Sequence, residues 1–188
     1  MTDANETVPA VDGVCEECGF DYDGLSDAET IEQVRGFGRK YRAPLSRGLP
    51  GESLDDLVRA HPLDGVWSAL EYACHVRDVF EVQRARIELA QAEDTPTFES
   101  MDRDGRVVRD AYNTQDPATV ADALATNAEA LAVALEGLSD EGWARTGIYH
   151  YPDLPTERPV RWITRHTAHE GRHHLLDIGR VLRTARGR

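Results

Sequence analysis

Val66 to Ala92 runs for twenty-seven residues without a glycine or a proline. A stretch that long without a breaker reads as one helix, and it sets the terms for the rest of the chain. Three other segments have the same character. Ser26-Asp27-Ala28-Glu29 places a capping serine three residues before a glutamate, so a helix opens there and runs to about Tyr41. Pro44 helps to end it, and Gly36 and Gly38 weaken it. Asp116-Pro117 opens another, with proline in the first turn, which runs from Ala118 to Leu135 and stops near Gly137. The last starts after Pro159 and runs to about Leu182.

Between them, Ser53 to His61 forms a short helix before Pro62. Glu93 to Pro117 is a long connection with room for a short helix, and connections of that length are often functional. Residues 142–159 read as a loop or hairpin around Ile148-Tyr149-His150-Tyr151. Four long helices without a convincing sheet predict an all-α chain. The expected architecture is a four-helix bundle with a long crossover connection after the second long helix, plus a small N-terminal C-x-x-C knuckle. The boundary falls between an acidic segment, residues 1–25, and the bundle, residues 26–188. Residues 1 to about 13 are polar and aperiodic, and predict disorder.

A chain of 188 residues is long enough for one domain with a real core. Its net charge of −13 repels phosphate backbones and anionic lipid, which sets aside nucleic acid and membrane surfaces as partners. No run of eighteen or more apolar residues predicts a membrane span. The N-terminus lacks the basic and apolar regions of a signal peptide, so a cytoplasmic location is expected. Three cysteines, an odd number, argue against a disulfide framework.

Histidine is where the chemistry concentrates. The stretch His166-Thr-Ala-His169-Glu170-Gly-Arg-His173-His174 lies in the last helix. His169 and His173 are four apart, hence one turn apart on one face, the spacing at which two imidazoles share a metal. The same spacing also occurs on solvated helix faces. Trp162 lies in the same sector. A third histidine, His75, sits on a partly apolar face of the Val66–Ala92 helix beside Tyr72. Its neighbours Glu71 and Asp78 are candidates to orient its ring. Three protein ligands with an open position make a catalytic rather than a structural site. His169-Glu170-Gly-Arg-His173 also reads as the zinc-protease string, but Leu176 and Gly179 stand where the metzincin extension needs glycine and histidine. No candidate strands for a zincin sheet lie upstream, so a zincin protease is set aside.

Together, W-S-x-L-E-Y-x-x-H-V, Trp67 to Val76, and H-x-x-x-H-H-L-x-D-I, His169 to Ile178, resemble the DinB-like superfamily of bacterial four-helix bundles over residues 26 to 183. The resemblance implies metal ligands at His75, His169 and His173 for a divalent ion, zinc or nickel. It also implies an enzyme using a low-molecular-weight thiol such as mycothiol or bacillithiol for S-transfer or isomerisation, as in the related mycothiol-dependent maleylpyruvate isomerase. Expected partners are then a small-molecule substrate or thiol, and a homodimer is left open. Glu170 is a candidate base, and Arg165 and Arg172 are candidates to hold a substrate carboxylate. Tyr72, Trp162 and Tyr112 are candidate cleft residues. Two other readings share these ligands: a metal-dependent hydrolase, and a non-catalytic metal-holding stress or sensor bundle.

Finally, Cys15-x-x-Cys18-Gly19 is half of a zinc knuckle. A second metal site there needs two more ligands, with Cys74, His61, His150 and His174 available. Redox or thiol handling by the cysteine pair, and no specific role, are the competing expectations.

Overall fold

The computed structural model describes residues 13–150 and 155–187. The disorder expected for residues 1 to about 13 falls almost wholly outside them. In chain order the elements are α1 (Asp27–Ser46), α2 (Leu54–Arg59), α3 (Ala69–Ala92), α4 (Arg103–Arg109), a 3-10 turn at Tyr112–Thr114, α5 (Pro117–Glu136), α6 (Asp140–Ala144), β1 (Thr146–His150), β2 (Pro155–Pro159) and α7 (Val160–Ala185). The four long helices are α1, α3, α5 and α7.

The starts of α1, α3 and α5 follow side-chain chemistry. Ser26 accepts from the Glu29 backbone N–H while the Glu29 carboxylate accepts from the Ser26 N–H, a closed capping box. Ser68 and Glu71 repeat it at α3, which therefore begins at Ala69 rather than Val66. Asp116 caps α5 by accepting from Thr119 N–H at 2.8 Å. Contrary to expectation, α1 continues past Tyr41 and through Pro44. Proline costs one bond near the end of the helix, but Leu45 is buried and the Ser46 hydroxyl donates to the Arg42 carbonyl at 2.7 Å. The five residues of α6 are too short for periodicity to reveal; buried Trp143 pins them to the core.

Each of α1 and α3 packs against both α5 and α7. Successive long helices α1 and α3 thus face each other across the diagonal, and only the longer connections allow that order. The core between them holds Val34, Phe37, Tyr41, Leu70, Phe80, Leu124, Leu131 and Ile163, all essentially fully buried. Burial of a Leu or Phe side chain contributes about 1.5–3 kcal/mol, so this set drives the assembly. Two glycines permit close helix approach. A Cβ on Gly38 would lie 2.9 Å from the Ala125 Cα, and one on Gly171 would lie 2.6 Å from the Phe37 ring. Gly38 therefore suits α1 rather than interrupting it, and Gly171 seats the histidine-rich part of α7 directly on α1. By length and composition α5 is apolar enough to span a membrane; in the bundle its Val120, Leu124, Leu131 and Leu135 are core.

The connection after α3 does not float. Phe98 N–H donates to Ile148 O at 3.0 Å and Ile148 N–H to Pro96 O at 2.8 Å, which adds Thr97 beside β1 in parallel. The segment that follows, with α4, closes one side of a cleft at the α3–α7 interface.

Candidate metal centre

Successive residues on a helix are turned by about 100°, so α7 carries two interleaved pairs one turn apart: His169 with His173, and Glu170 with His174. With Gly171 pressed on Phe37, the rotation of α7 is fixed, and the two pairs look in different directions.

Glu170 and His174 face α3. Their ligand atoms and one of His75 lie within 4.8 Å of one another. The Glu170 carboxylate is 3.5 Å from His75 Nε2 and 3.4 Å from His174 Nε2. The His75 and His174 rings meet edge to face at 5.0 Å. His174 Nδ1 is held by Asp177 at 2.9 Å. His75 is 3% exposed, and neither ring nitrogen has a hydrogen bond of proper geometry. Glu71 and Asp78, expected to orient it, are engaged elsewhere. Glu71 accepts from Ser68 N–H and pairs with His61 at 2.7 Å, and Asp78 pairs with Arg77, Arg106 and the Tyr112 hydroxyl.

The other pair faces the N-terminal knuckle. Ligand atoms of Cys15, Cys18, His169 and His173 lie within 4.8 Å of one another. The triad expected from the sequence, His75 with His169 and His173, is therefore divided. His75 gathers with Glu170 and His174, while His169 and His173 gather with the cysteines. The signal that would have found this is the second one-turn pair, Glu170 and His174, in the same string.

Electrostatics differ across the cluster. Burial, the dominant influence, pushes His75 below the ordinary imidazole value, although Glu170 pulls the other way. Burial would also lower His174, but the hydrogen bonds its ring donates to Asp177 and Glu170 outweigh it and bring it to about 9. Burial would raise the Glu170 carboxyl, yet His174 and His75 hold it well below the usual carboxylate range. His169 is brought down to about 4, chiefly by burial. So His75 offers a neutral nitrogen, Glu170 a carboxylate, and His174 a nitrogen whose proton must leave before it can bind a metal.

The His75 group lies in a cleft of about 480 Å³ whose walls include Trp67, Tyr72, Met101, Arg103 and Arg180. Tyr72 stands where it was expected, with its ring 5.2 Å from that of His174. Trp162 does not line the cleft; it stacks on His166 at 4.9 Å, behind the ligands. Tyr112 is fully buried on Asp78. Arg165 and Arg172 also turn away from the cleft, because each donates to a carbonyl of the N-terminal segment: Leu25 at 2.9 Å and Cys18 at 2.8 Å. Arg86, Arg103 and Arg180 are the cleft's arginines. The pattern of the DinB superfamily matches residues 48–178.

The chain belongs to the DinB superfamily. Among solved structures, this member is similar to YfiT from Bacillus subtilis, described as a probable metal-dependent hydrolase with an unusual four-helix bundle topology. The TM-score is 0.74 and the identity 18%, over 86% of this chain and 90% of that one. It is similar also to the mycothiol-dependent maleylpyruvate isomerase, with a TM-score of 0.65 and 18% identity over 84% of this chain. The chain spans 62% of the isomerase's length. At that identity the likeness establishes the shared bundle, and the expected all-α fold stands. No curated protein matches the chain.

Proposed function

We propose that this DinB superfamily member is a divalent-metal-dependent enzyme that works on a small molecule with a low-molecular-weight thiol, by S-transfer or isomerisation, at His75, Glu170 and His174. The observation that carries the reading is His75: a buried imidazole whose nitrogens make no hydrogen bond of proper geometry, with Nε2 3.5 Å from the Glu170 carboxylate and a second imidazole beside it on a cleft floor. Leaving such polar atoms unpaired costs about 1–3 kcal/mol, and a metal ion would relieve it. Two histidines and one carboxylate suit zinc or nickel and leave a position for substrate. An ion held there supplies Lewis acidity, which lowers the pKa of a thiol or water beside it.

The chain's own residues account for the rest. Asp177 holds His174 Nδ1, which fixes the ring and aims Nε2 at Glu170. Trp67 and Tyr72 give flat apolar surface for the body of a thiol. Arg103 and Arg180 supply positive charge at the same walls for a polar or anionic group. Glu170, expected as a base, serves better here as a ligand, since it is central to the group. The arginine pair expected at the cleft, Arg165 and Arg172, is replaced in that role by Arg103 and Arg180.

Hydrolysis is the second reading, favoured by the likeness to YfiT over 90% of that chain. It uses the same three side chains with water in the thiol's place. The test is a thermal-shift and turnover screen of metal-loaded full-length protein with mycothiol and bacillithiol. A metal-dependent upward shift, lost in His75→Ala, supports the thiol reading. Ester or amide hydrolysis without any thiol response supports the second. Unchanged metal content in His75→Ala with His174→Ala sinks both.

A further inference from the structure

The knuckle is the part of the molecule that the cleft chemistry leaves unused. We infer that Cys15, Cys18, His169 and His173 form a second, closed site for a zinc-class divalent ion, which fastens the N-terminal knuckle to α7 and braces the cleft ligands from behind.

Four features point to it. The donor set is two thiols and two imidazoles, all mutually within 4.8 Å, with Cys15 Sγ at 3.7 Å from His173 Nδ1. Its spacing, Cys-x₂-Cys and His-x₃-His, falls in the range of four-coordinate structural zinc sites. The backbone is already shaped for it. Cys15 N–H donates to Phe20 O and Gly19 N–H to Cys15 O, both at 2.8 Å, and Gly19 takes φ +65° to close the turn. That turn puts both sulfurs on the α7 side. Next, His169 is 0% exposed and both its ring nitrogens are buried without a hydrogen-bond partner. A neutral imidazole always carries one N–H donor and one acceptor, so such a residue is incomplete without a ligand. Last, the knuckle is locked in place around the cluster. Arg172 Nε donates to Cys18 O at 2.8 Å, Arg180 pairs with Glu17 at 2.7 Å, and the Tyr22 hydroxyl meets His166 Nδ1 at 2.8 Å. Phe20 and Tyr22 are buried against His169.

Four protein donors fill a tetrahedral ion, so this site has no position for substrate. Its role is positional. His169 and His173 alternate along α7 with Glu170 and His174, and the Asp177 carboxylate lies 2.9 Å from His174 Nδ1 and 3.8 Å from His173 Nε2. Holding one pair therefore restrains the other.

Cobalt substitution of the reduced full-length protein separates the two sites, because only this one has thiolate ligands. The expected result is a near-ultraviolet sulfur-to-cobalt charge-transfer band with the intense visible bands of tetrahedral cobalt. The charge-transfer band disappears in Cys15→Ser with Cys18→Ser and in His169→Gln with His173→Gln, and zinc content falls by one equivalent. The band persists in His75→Ala with His174→Ala, so loss of the cleft site and loss of this one are told apart. For a readout that needs no variant, Cys15 and Cys18 should resist maleimide in the zinc-loaded protein and react after chelation. Absence of the band in the wild-type chain, its survival in the His169/His173 variant, or a Cys15–Cys18 disulfide in protein offered zinc overturns the inference.

Discussion

Two one-turn pairs on α7, offset by a single residue, differ in almost every respect that matters for chemistry. His169 and His173 meet a pair of thiols beneath buried Phe20 and Tyr22. Glu170 and His174 meet one more imidazole at the floor of a cleft of about 480 Å³. The first group has four donors, with only His173 reaching the cleft wall, and the second has three donors and a large opening. Helix geometry supplies both pairs equally. What each becomes depends on which element is packed opposite: the knuckle in one case, α3 and the α4 segment in the other.

Several measurements would break or sharpen that contrast. The largest effect is expected from His75→Ala combined with His174→Ala, which removes two of three cleft donors. Cleft metal and thiol-dependent turnover should both fall to background, while the knuckle ligands are untouched; elemental analysis with a turnover assay reads this. Retained turnover would place the chemistry elsewhere.

Asp177→Asn comes next. It weakens the hold on His174 Nδ1 and removes a negative charge near His173. A carboxylate that orients a ligating histidine is worth about 10–100-fold in metal affinity or activity. The loss should be larger at the cleft, where the contact is shorter, and competition with a chelating dye would measure it.

The pH response should also distinguish the groups. In the metal-free protein His174 titrates at about 9, above an unperturbed imidazole at about 6.5. A raised folded-state value contributes stability that is fully present below the unfolded value and is lost as pH rises through the folded one. Metal-free protein should therefore lose stability between roughly pH 6.5 and 9. Metal affinity at the cleft should climb over the same range, because the ion displaces that proton. Calorimetry across this window, with and without zinc, tests both signs; metal-free stability that rises with pH would contradict the assignment.

The smallest effect is expected from Ser68→Ala, which opens the capping box of α3. It should cost about 1 kcal/mol in denaturant unfolding and leave metal content at both groups unchanged. A loss of cleft metal would mean that the α3 terminus, not the α7 packing, positions His75.

Much of the scaffold was readable in advance. The Ser26 capping box, the long breaker-free run, the Asp116-Pro117 start and the break at Pro159 located all four long helices within a few residues. The misreadings were local. Pro44 lies inside α1, since the buried Leu45 beyond it outweighs one lost hydrogen bond. Arg165 and Arg172 looked available for substrate but serve the N-terminal segment, because sequence cannot show which carbonyls a surface guanidinium will reach.

The site divides along the same line. By itself the sequence determined that α7 would carry metal-capable side chains one turn apart, because helical periodicity is local and does not depend on partners. It also pointed to His75 as a further metal-capable residue, though with His169 and His173 rather than with Glu170 and His174. Only the tertiary structure decided which pair went with which. A one-residue offset is a rotation of about 100° about the helix axis. That rotation was set by Gly171 against Phe37 and by the docking of the knuckle, contacts between residues more than a hundred positions apart, which no pattern within α7 contains.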